Sequence, residues 1–287
     1  MIMEMGVRFA GRWRGEVHSR FRHAVNLRLP DRGGELRTLL SGGTNMGERC
    51  LALEPVAAEG LFRRLEPGMG LLCDGETLSF PGLDIAPVPL KPGPGRIWRS
   101  PPPPERIVSS ETAYRRLDAE LQRREAELAG LPLHTIARAR FERFLGRLSA
   151  TGRPEPGLLA GLVGCGPGLT PSGDDYLVGL CCALHGLHHP LLAALRQTAS
   201  PLLPATPLVS RALLGDALGG AFQRPLAELR QALMQGAAPA PLQRALSRAI
   251  AIGASSGCDG ARGLLSGLRA FERPDCIHPA RPLRAAG

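Results

Sequence analysis

The stretch Gly164–Leu180, GCGPGLTPSGDDYLVGL, combines a glycine-rich loop, a proline and two adjacent aspartates just before an apolar run. This order predicts a loop that leads into a helix, because small polar residues favour N-caps and acids favour the first turn. We expect Ser172 to be the N-cap and Asp175 to complete a capping box with it. Capping requires neither Asp174 nor so many glycines, so the stretch also suggests a ligand site.

The same signature returns near the end of the chain. Ser172 begins SGDDYLVGL and Ser256 begins SGCDGARGL, and both fit the pattern S-G-x-D-x-x-x-G-L. In each copy a glycine follows the shared acid by four residues and therefore lies on the same helical face. Two interpretations stay open. Either two capped helices cross closely at these glycines, or two helix starts meet around one ligand.

A third stretch, LLPATPLVS, ends at Ser210 and repeats the Thr-Pro pair that precedes Ser172. It predicts another helix start, with Thr206 as N-cap, Pro207 at the first helical position and Ser210 one turn later. An ordinary capped amphipathic helix would have the same pattern, so a binding role for this stretch is one of two alternatives.

These three stretches supply the candidate site residues. The carboxylates of Asp174, Asp175 and Asp259 are the candidate catalytic groups and would orient a nitrogen-bearing substrate. Asp174 and Asp175 are alternatively a site for Mg²⁺, which prefers oxygen ligands. The substrate-binding candidates are hydroxyls and backbone amides suited to anionic oxygens, plus a histidine in a predicted strand: Gly166, Gly168, Thr170, Ser172, Gly173, Thr206, Ser210, Ser255, Ser256, Gly257 and His18.

Periodicity divides the chain into two parts and predicts an α+β fold. Residues 1–100 contain short alternating runs, with DRGGE and CDGE as hairpin turns, and predict a mainly antiparallel β domain that is a barrel or a sandwich. A proline-rich connector within residues 87–106 precedes an all-α domain over residues 101–287, which ends in a loose tail. The predicted helices cover residues 109–130, 133–152, 176–187, 190–199, 207–222, 226–235, 241–253 and 257–271.

The first two predicted helices are amphipathic and charged on their outer faces. Leu117, Leu121 and Leu128 form the apolar stripe of the first helix. The apolar stripe of the second helix consists of Ile136, Phe144, Leu145 and Leu148.

Composition limits the kinds of partner. The net charge is +9, but it comes from scattered arginines without a basic block or interleaved aromatic residues, so we expect no nucleic-acid partner. No apolar run approaches the roughly 18 residues that span a bilayer, and the N-terminus lacks the apolar core of a signal peptide. Seven cysteines without a C-x-x-C pair favour neither a zinc site nor a disulfide framework. We therefore expect a cytoplasmic protein that does not contact membranes.

The segments GPGLTPSGDDYLVGL, TPLVS and IGASSGCDGARGL together resemble a bacterial family of largely unassigned function that includes the AllH-like subunit of oxamate carbamoyltransferase. The opening VHSRFRHAVNL is also similar to that family. The resemblance implies an oligomeric cytoplasmic protein that acts with other subunits in allantoin and purine catabolism. The implied reaction interconverts oxalurate plus phosphate with oxamate plus carbamoyl phosphate. Pro207 departs from the family pattern, where a second threonine is expected.

The sequence supports two classes of function. The first is a carbamoyltransferase-type enzyme subunit that binds a small anionic carboxylate, ureido or phosphate compound at paired helix N-termini. The second is a non-catalytic small-molecule-binding or regulatory subunit that uses the same site. The carbamoyl-phosphate motif S-T-R-T-R is absent from the sequence, and phosphate binding at helix N-termini would take its place.

Overall fold

The computed structural model describes residues 2–108, 110–128 and 132–272. It confirms the predicted fold class, because a curled, antiparallel-rich sheet is followed by a helical region. Two compact units are present. The described residues up to Ser100 form the first unit together with Ala221–Arg224, and the second unit consists of Pro101–Gly220 and the described residues from Pro225 onward. None of the described helices has the length and apolar character needed to cross a membrane.

The first unit is built on one sheet rather than on the two sheets of a sandwich. Its strands run in the order β8-β7-β6-β2-β3-β4-β5-β1-β9 and curl into a half-barrel. Neighbouring strands are antiparallel except in the pairs β4–β5 and β1–β9. The strands are β1 (Ile2–Gly6), β2 (Arg12–Arg20), β3 (Ala24–Leu29), β4 (Glu35–Ser41), β5 (Cys50–Leu53), β6 (Gly70–Asp74), β7 (Thr77–Ser79), β8 (Val88–Pro89) and β9 (Ile97–Trp98).

Both predicted hairpin turns are confirmed. DRGGE connects the antiparallel strands β3 and β4, and CDGE connects β6 and β7. In the second turn, Asp74 Oδ1 accepts hydrogen bonds from the amides of Glu76 and Thr77 at 2.8 and 2.7 Å. A helix that the strand pattern did not predict, α1 (Pro55–Arg64), follows β5 and buries Leu61 and Phe62.

The helical region contains nine α-helices within the described residues. All eight predicted helices are present, and the five-residue α4 was not predicted. The predicted tail lies outside the described residues. The helices are α2 (Glu111–Leu128), α3 (Pro132–Thr151), α4 (Pro156–Ala160), α5 (Ser172–Gly186), α6 (Leu191–Ala199), α7 (Leu208–Leu218), α8 (Arg224–Met234), α9 (Pro239–Ile250) and α10 (Ser256–Phe271).

The predicted stripe of α2 is correct where it is described, since Leu117 and Leu121 are buried. The side chain of Leu128 lies outside the described residues. The predicted stripe of α3 is partly wrong, because Ile136 is 44% exposed. The buried side chains of α3 instead follow a regular three-and-four spacing: His134, Ala137, Phe141, Phe144 and Leu148. In the first turns of α3, the buried stripe therefore runs through His134 and Ala137, and Ile136 lies outside it.

Helix α5 is buried on almost all sides and crosses α10 at very short range. A Cβ atom on Gly179 would lie 2.0 Å from the carbonyl oxygen of Gly260, and one on Gly263 would lie 2.2 Å from that of Tyr176. Both clashes are with backbone, which has no alternative rotamer to relieve them. The two glycines of the repeated signature therefore permit a backbone-to-backbone crossing that no larger residue allows.

We expect Gly179→Ala to destabilise the protein by about 3 kcal/mol, because the two helices must move apart to admit one methyl group. Chemical denaturation followed by circular dichroism measures this loss. Gly146→Ala is the matched control, since this α3 position has open space around it. We expect the control to gain about 0.5–1 kcal/mol from its higher helix propensity. Equal stability of wild type and Gly179→Ala would contradict the proposed crossing.

Candidate functional site

The starts of α5 and α10 meet in space. Thr170, just before α5, and Ser256, the first residue of α10, form a hydroxyl-to-hydroxyl hydrogen bond of 2.7 Å. Both side chains are half-buried, whereas the acids one turn further along each helix are buried. The two hydroxyls thus form the rim of a polar cluster, and the acids form its floor.

The predicted capping boxes are wrong. Pro171 and Ser255 occupy the N-cap positions of α5 and α10, and neither helix has a side-chain cap hydrogen bond. The amide of Gly173 donates instead to Cys165 O at 2.8 Å, and the amide of Gly257 donates to Ile252 O at 3.0 Å. These two amides bind the protein's own backbone, so they offer no free donor to an anion.

Asp174 is fully buried and has all its partners within the protein. Its Oδ1 accepts the amide of Gly164 at 2.9 Å, and its Oδ2 accepts hydrogen bonds from Thr206 and from Ser210, the latter at 2.7 Å. The third predicted stretch therefore does join the first, through Asp174. Pro207 rather than Thr206 is the N-cap of α7, so the predicted capping role of Thr206 is wrong.

Asp175 and Asp259 differ from Asp174, because each retains a buried oxygen without a partner. Asp175 Oδ2, Asp259 Oδ2 and the hydroxyl of Tyr176 are buried atoms without a partner at full hydrogen-bonding distance. The Tyr176 hydroxyl nevertheless lies close enough to the Asp259 carboxylate for a hydrogen bond to contribute to its raised pKa, and the charge of Asp259 raises the pKa of Asp175. Three incompletely paired polar atoms thus lie in one buried cluster, where an atom left without any partner costs about 1–3 kcal/mol.

His134 is the functional candidate that the sequence analysis missed. Its Nε2 lies 2.8 Å from Asp259 Oδ1, and its side chain is only 4% exposed. The available signal was the spacing of α3, in which His134 precedes Ala137 and Phe141 on the core stripe. A polar side chain at such a position needs a buried partner, and Asp259 supplies it.

Burial, charge and hydrogen bonding raise the pKa values of three groups in this cluster. Burial, together with the charge of Asp259, raises the pKa of Asp175 well above its ordinary value, and the neighbouring Ser256 hydroxyl offsets only part of this. The hydrogen bond to Asp259 raises the pKa of His134 against the effect of burial. Burial, the charge of Asp259 and a hydrogen bond to Asp259 also raise the pKa of Tyr176. The cluster therefore favours the protonated form of Asp175, and it favours the cationic form of His134 beside Asp259.

A second group of charges lies behind His134. Arg262 donates to both oxygens of the buried Glu125, at 2.7 and 3.0 Å, and pairs with Asp118. Arg138 also binds Glu125 at 2.8 Å. These pairs link α2, α3 and α10, so they hold the helix that carries His134 against the helix that carries Asp259.

The remaining substrate-binding candidates differ in burial and in the space around them. Ser172 is buried, Ser255 is half-buried, and Gly168 is exposed with open space around it. Gly166 approaches the amide of Ser172 too closely for a side chain. His18 lies on β2 in the first unit, where its Nδ1 is 3.2 Å from Ser19 Oγ. Binding by these residues stays a prediction.

The predicted magnesium site gains no support. Within residues 2–108, 110–128 and 132–272 there is no group of three or more His, Cys, Asp or Glu side chains suited to a metal ion. Both oxygens of Asp174 are already occupied by hydrogen-bond donors.

The polar cluster is closed in this structure. Asp259 has no exposure to solvent, and Asp175 is 7% exposed. Two cavities within the described residues lie elsewhere, one beside Lys91 and Arg96 and the other beside His189 and Phe271. Neither cavity is lined by the acids of the cluster.

Comparison with protein families gives one match. The model of the family described as "Oxamate carbamoyltransferase subunit AllH" matches residues 162–268, which include both copies of the signature and the Thr206–Ser210 stretch. The predicted resemblance is thereby confirmed over this segment. No curated protein and no solved structure matches the chain.

We expect Asp175→Asn to stabilise the protein at neutral pH by about 1–3 kcal/mol, because asparagine is neutral without having to retain a proton. The raised pKa of Asp175 means that its contribution is fully present below about pH 3.9, the unfolded value, and is lost as pH rises toward the folded value. The difference between variant and wild type should therefore shrink near pH 4. Urea denaturation at pH 7.5 and at pH 4 measures it.

Asp84→Asn, which makes the same chemical change at an exposed aspartate between β7 and β8, is the control and should differ from wild type equally at the two pH values. An Asp175→Asn protein less stable than wild type at pH 7.5 would contradict an energetic cost for the buried carboxyl group of Asp175.

Proposed function

We propose that this chain is a subunit of an enzyme of the oxamate carbamoyltransferase type, acts with other protein subunits, and binds a small carboxylate or ureido compound between the starts of α5 and α10. The supporting observation is the set of three buried, incompletely paired polar atoms, from Asp175, Asp259 and Tyr176, within the segment that the family model matches. A ligand that pairs with these atoms offsets a cost that the fold alone leaves uncompensated.

The chemistry of the cluster is complementary to an amide or ureido group. The Asp259 carboxylate can accept a hydrogen bond from N–H, whereas the protonated form of Asp175, which burial favours, and the Tyr176 hydroxyl can donate to a carbonyl oxygen. Amide and ureido groups present both an N–H and a C=O in one plane. The rim hydroxyls of Thr170 and Ser256 are placed to donate to the anionic oxygens at the other end of the compound.

The reaction also requires a proton at one atom. Phosphate oxygen attacks the carbamoyl carbon of oxalurate, the bond from that carbon to the oxamate nitrogen breaks, and carbamoyl phosphate leaves with its new C–O bond. The oxamate nitrogen must gain the proton that phosphate loses. A carboxylic acid kept neutral by burial is suited to deliver it, and Asp175 is such an acid.

We expect Asp175→Asn to lower kcat at least about 100-fold, because the amide cannot transfer a proton. Oxamate affinity should change by no more than about threefold, since the amide N–H still donates as the acid does. Carbamoyl phosphate formation from oxalurate and phosphate, assayed with the partner subunits present, measures turnover, and calorimetry measures affinity. Asp84→Asn serves again as the matched control and should keep full turnover.

Two outcomes would contradict the proposal in different ways. Wild-type turnover by Asp175→Asn would remove the assigned proton donor. Oxamate binding without turnover in every mixture of subunits would assign this chain to a non-catalytic binding or regulatory role.

A further inference from the structure

His134 lies outside the segment that matches the family model, yet its side chain binds the buried Asp259 carboxylate within that segment. Its Nε2 lies 2.8 Å from Asp259 Oδ1. A carboxylate accepts hydrogen bonds, so the imidazole is the donor in this pair. Asp259 Oδ2 has no full hydrogen bond, although the Tyr176 hydroxyl is close to the same carboxylate.

We propose that His134 is a positioning residue that fixes Asp259 as a hydrogen-bond acceptor and thereby makes this site select an amide N–H over a carboxylate oxygen. The inference rests on the proposed function and adds the source of its specificity. His134 acts through Asp259 and need not touch the ligand itself.

The selection follows from burial and charge. Asp259 has no solvent exposure, so water does not compete for its free oxygen. A ligand carboxylate brought to that oxygen would meet a like charge in a desolvated place, whereas an amide N–H would form a hydrogen bond. Sites built to bind one hydrogen-bonding group discriminate strongly against an analogue that leaves their own buried groups unpaired.

Packing keeps the acceptor in a fixed direction. The ring of Tyr176 stacks on Phe141, with 4.9 Å between centroids and 15° between planes. Phe141 and His134 occupy the same buried stripe of α3. Helix α3 thus carries both His134, which binds Asp259, and Phe141, which stacks on Tyr176. Its packing therefore restrains the directions of the Asp259 carboxylate and the Tyr176 hydroxyl.

The test compares oxamate with oxalate, two compounds of nearly the same size that differ by an amide in place of one carboxylate. Isothermal titration calorimetry of the full chain should give an oxamate affinity at least about tenfold higher than the oxalate affinity. His134→Leu should reduce this ratio to about one, because Asp259 loses the donor that orients it. His134→Gln, whose side-chain N–H can still donate to Asp259, should keep the ratio within about threefold of wild type.

Asp259→Asn keeps the size of the side chain and adds a measurement that does not depend on the folding of His134→Leu. Its amide can donate to a carboxylate, so oxalate should gain relative to oxamate. An unchanged ratio in either His134→Leu or Asp259→Asn would overturn the role of His134. Equal wild-type affinity for the two compounds, with tight binding of both, would overturn the selectivity and leave the proposed function standing. Absence of binding of either compound up to about 10 mM would overturn both proposals.

Discussion

The close crossing of α5 and α10 is the constraint on which the rest of the helical unit depends. Gly179 and Gly263 bring backbone against backbone, with no side chain between the two helices. Because the crossing lies one turn after the shared acids, it places Asp175 and Asp259 side by side. The glycines of the repeated signature therefore have a structural role. They set the distance between α5 and α10, and that distance brings the two carboxyl groups into one desolvated cluster.

Two adjacent aspartates differ in how the fold compensates their carboxyl groups. Asp174 accepts hydrogen bonds from a loop amide and from Thr206 and Ser210, so its carboxylate is compensated and it links three segments. Asp175 has a buried oxygen without a partner and lies near a second carboxyl group. A neutral side chain at this position would avoid that cost, and the proposed role of Asp175 as a proton donor gives a reason for retaining the acid.

The sequence predicted the fold class, both hairpin turns and the helices well, because these depend on local periodicity and turn residues. The short α4 and the helix α1 between two strands carry too few periodic residues to be predicted. The capping boxes failed for a different reason. Pro171 takes the N-cap position of α5, and the loop before it folds back so that its carbonyl groups satisfy the helix amides. Such backbone partners leave no trace in side-chain patterns.

The apolar stripe predicted for α3 begins with Ile136, and it lies on the wrong face of the helix at its first turn. His134, which is polar, does not appear in that apolar pattern. The partner of His134 lies 125 residues away on α10, and no local signal records that contact. Tyr176 was counted as part of an apolar run for the same reason. Of the residues in the cluster, the sequence therefore located the acids and serines of the repeated signature, and it missed Tyr176, at a position that the two copies do not share, and His134 on α3.

The two ends of the cluster are closed by different kinds of contact. The glycine crossing cannot widen without breaking backbone packing, whereas a single hydrogen bond between Thr170 and Ser256 joins the helix starts at the other end. The loop that carries Thr170 includes Gly168, which has a φ of +83° and open space around it. Under the proposed function, a ligand would therefore enter by displacing this loop and not by separating the helices. A compound that replaces the Thr170–Ser256 hydrogen bond with two of its own would compensate for this opening and reach the incompletely paired atoms beneath.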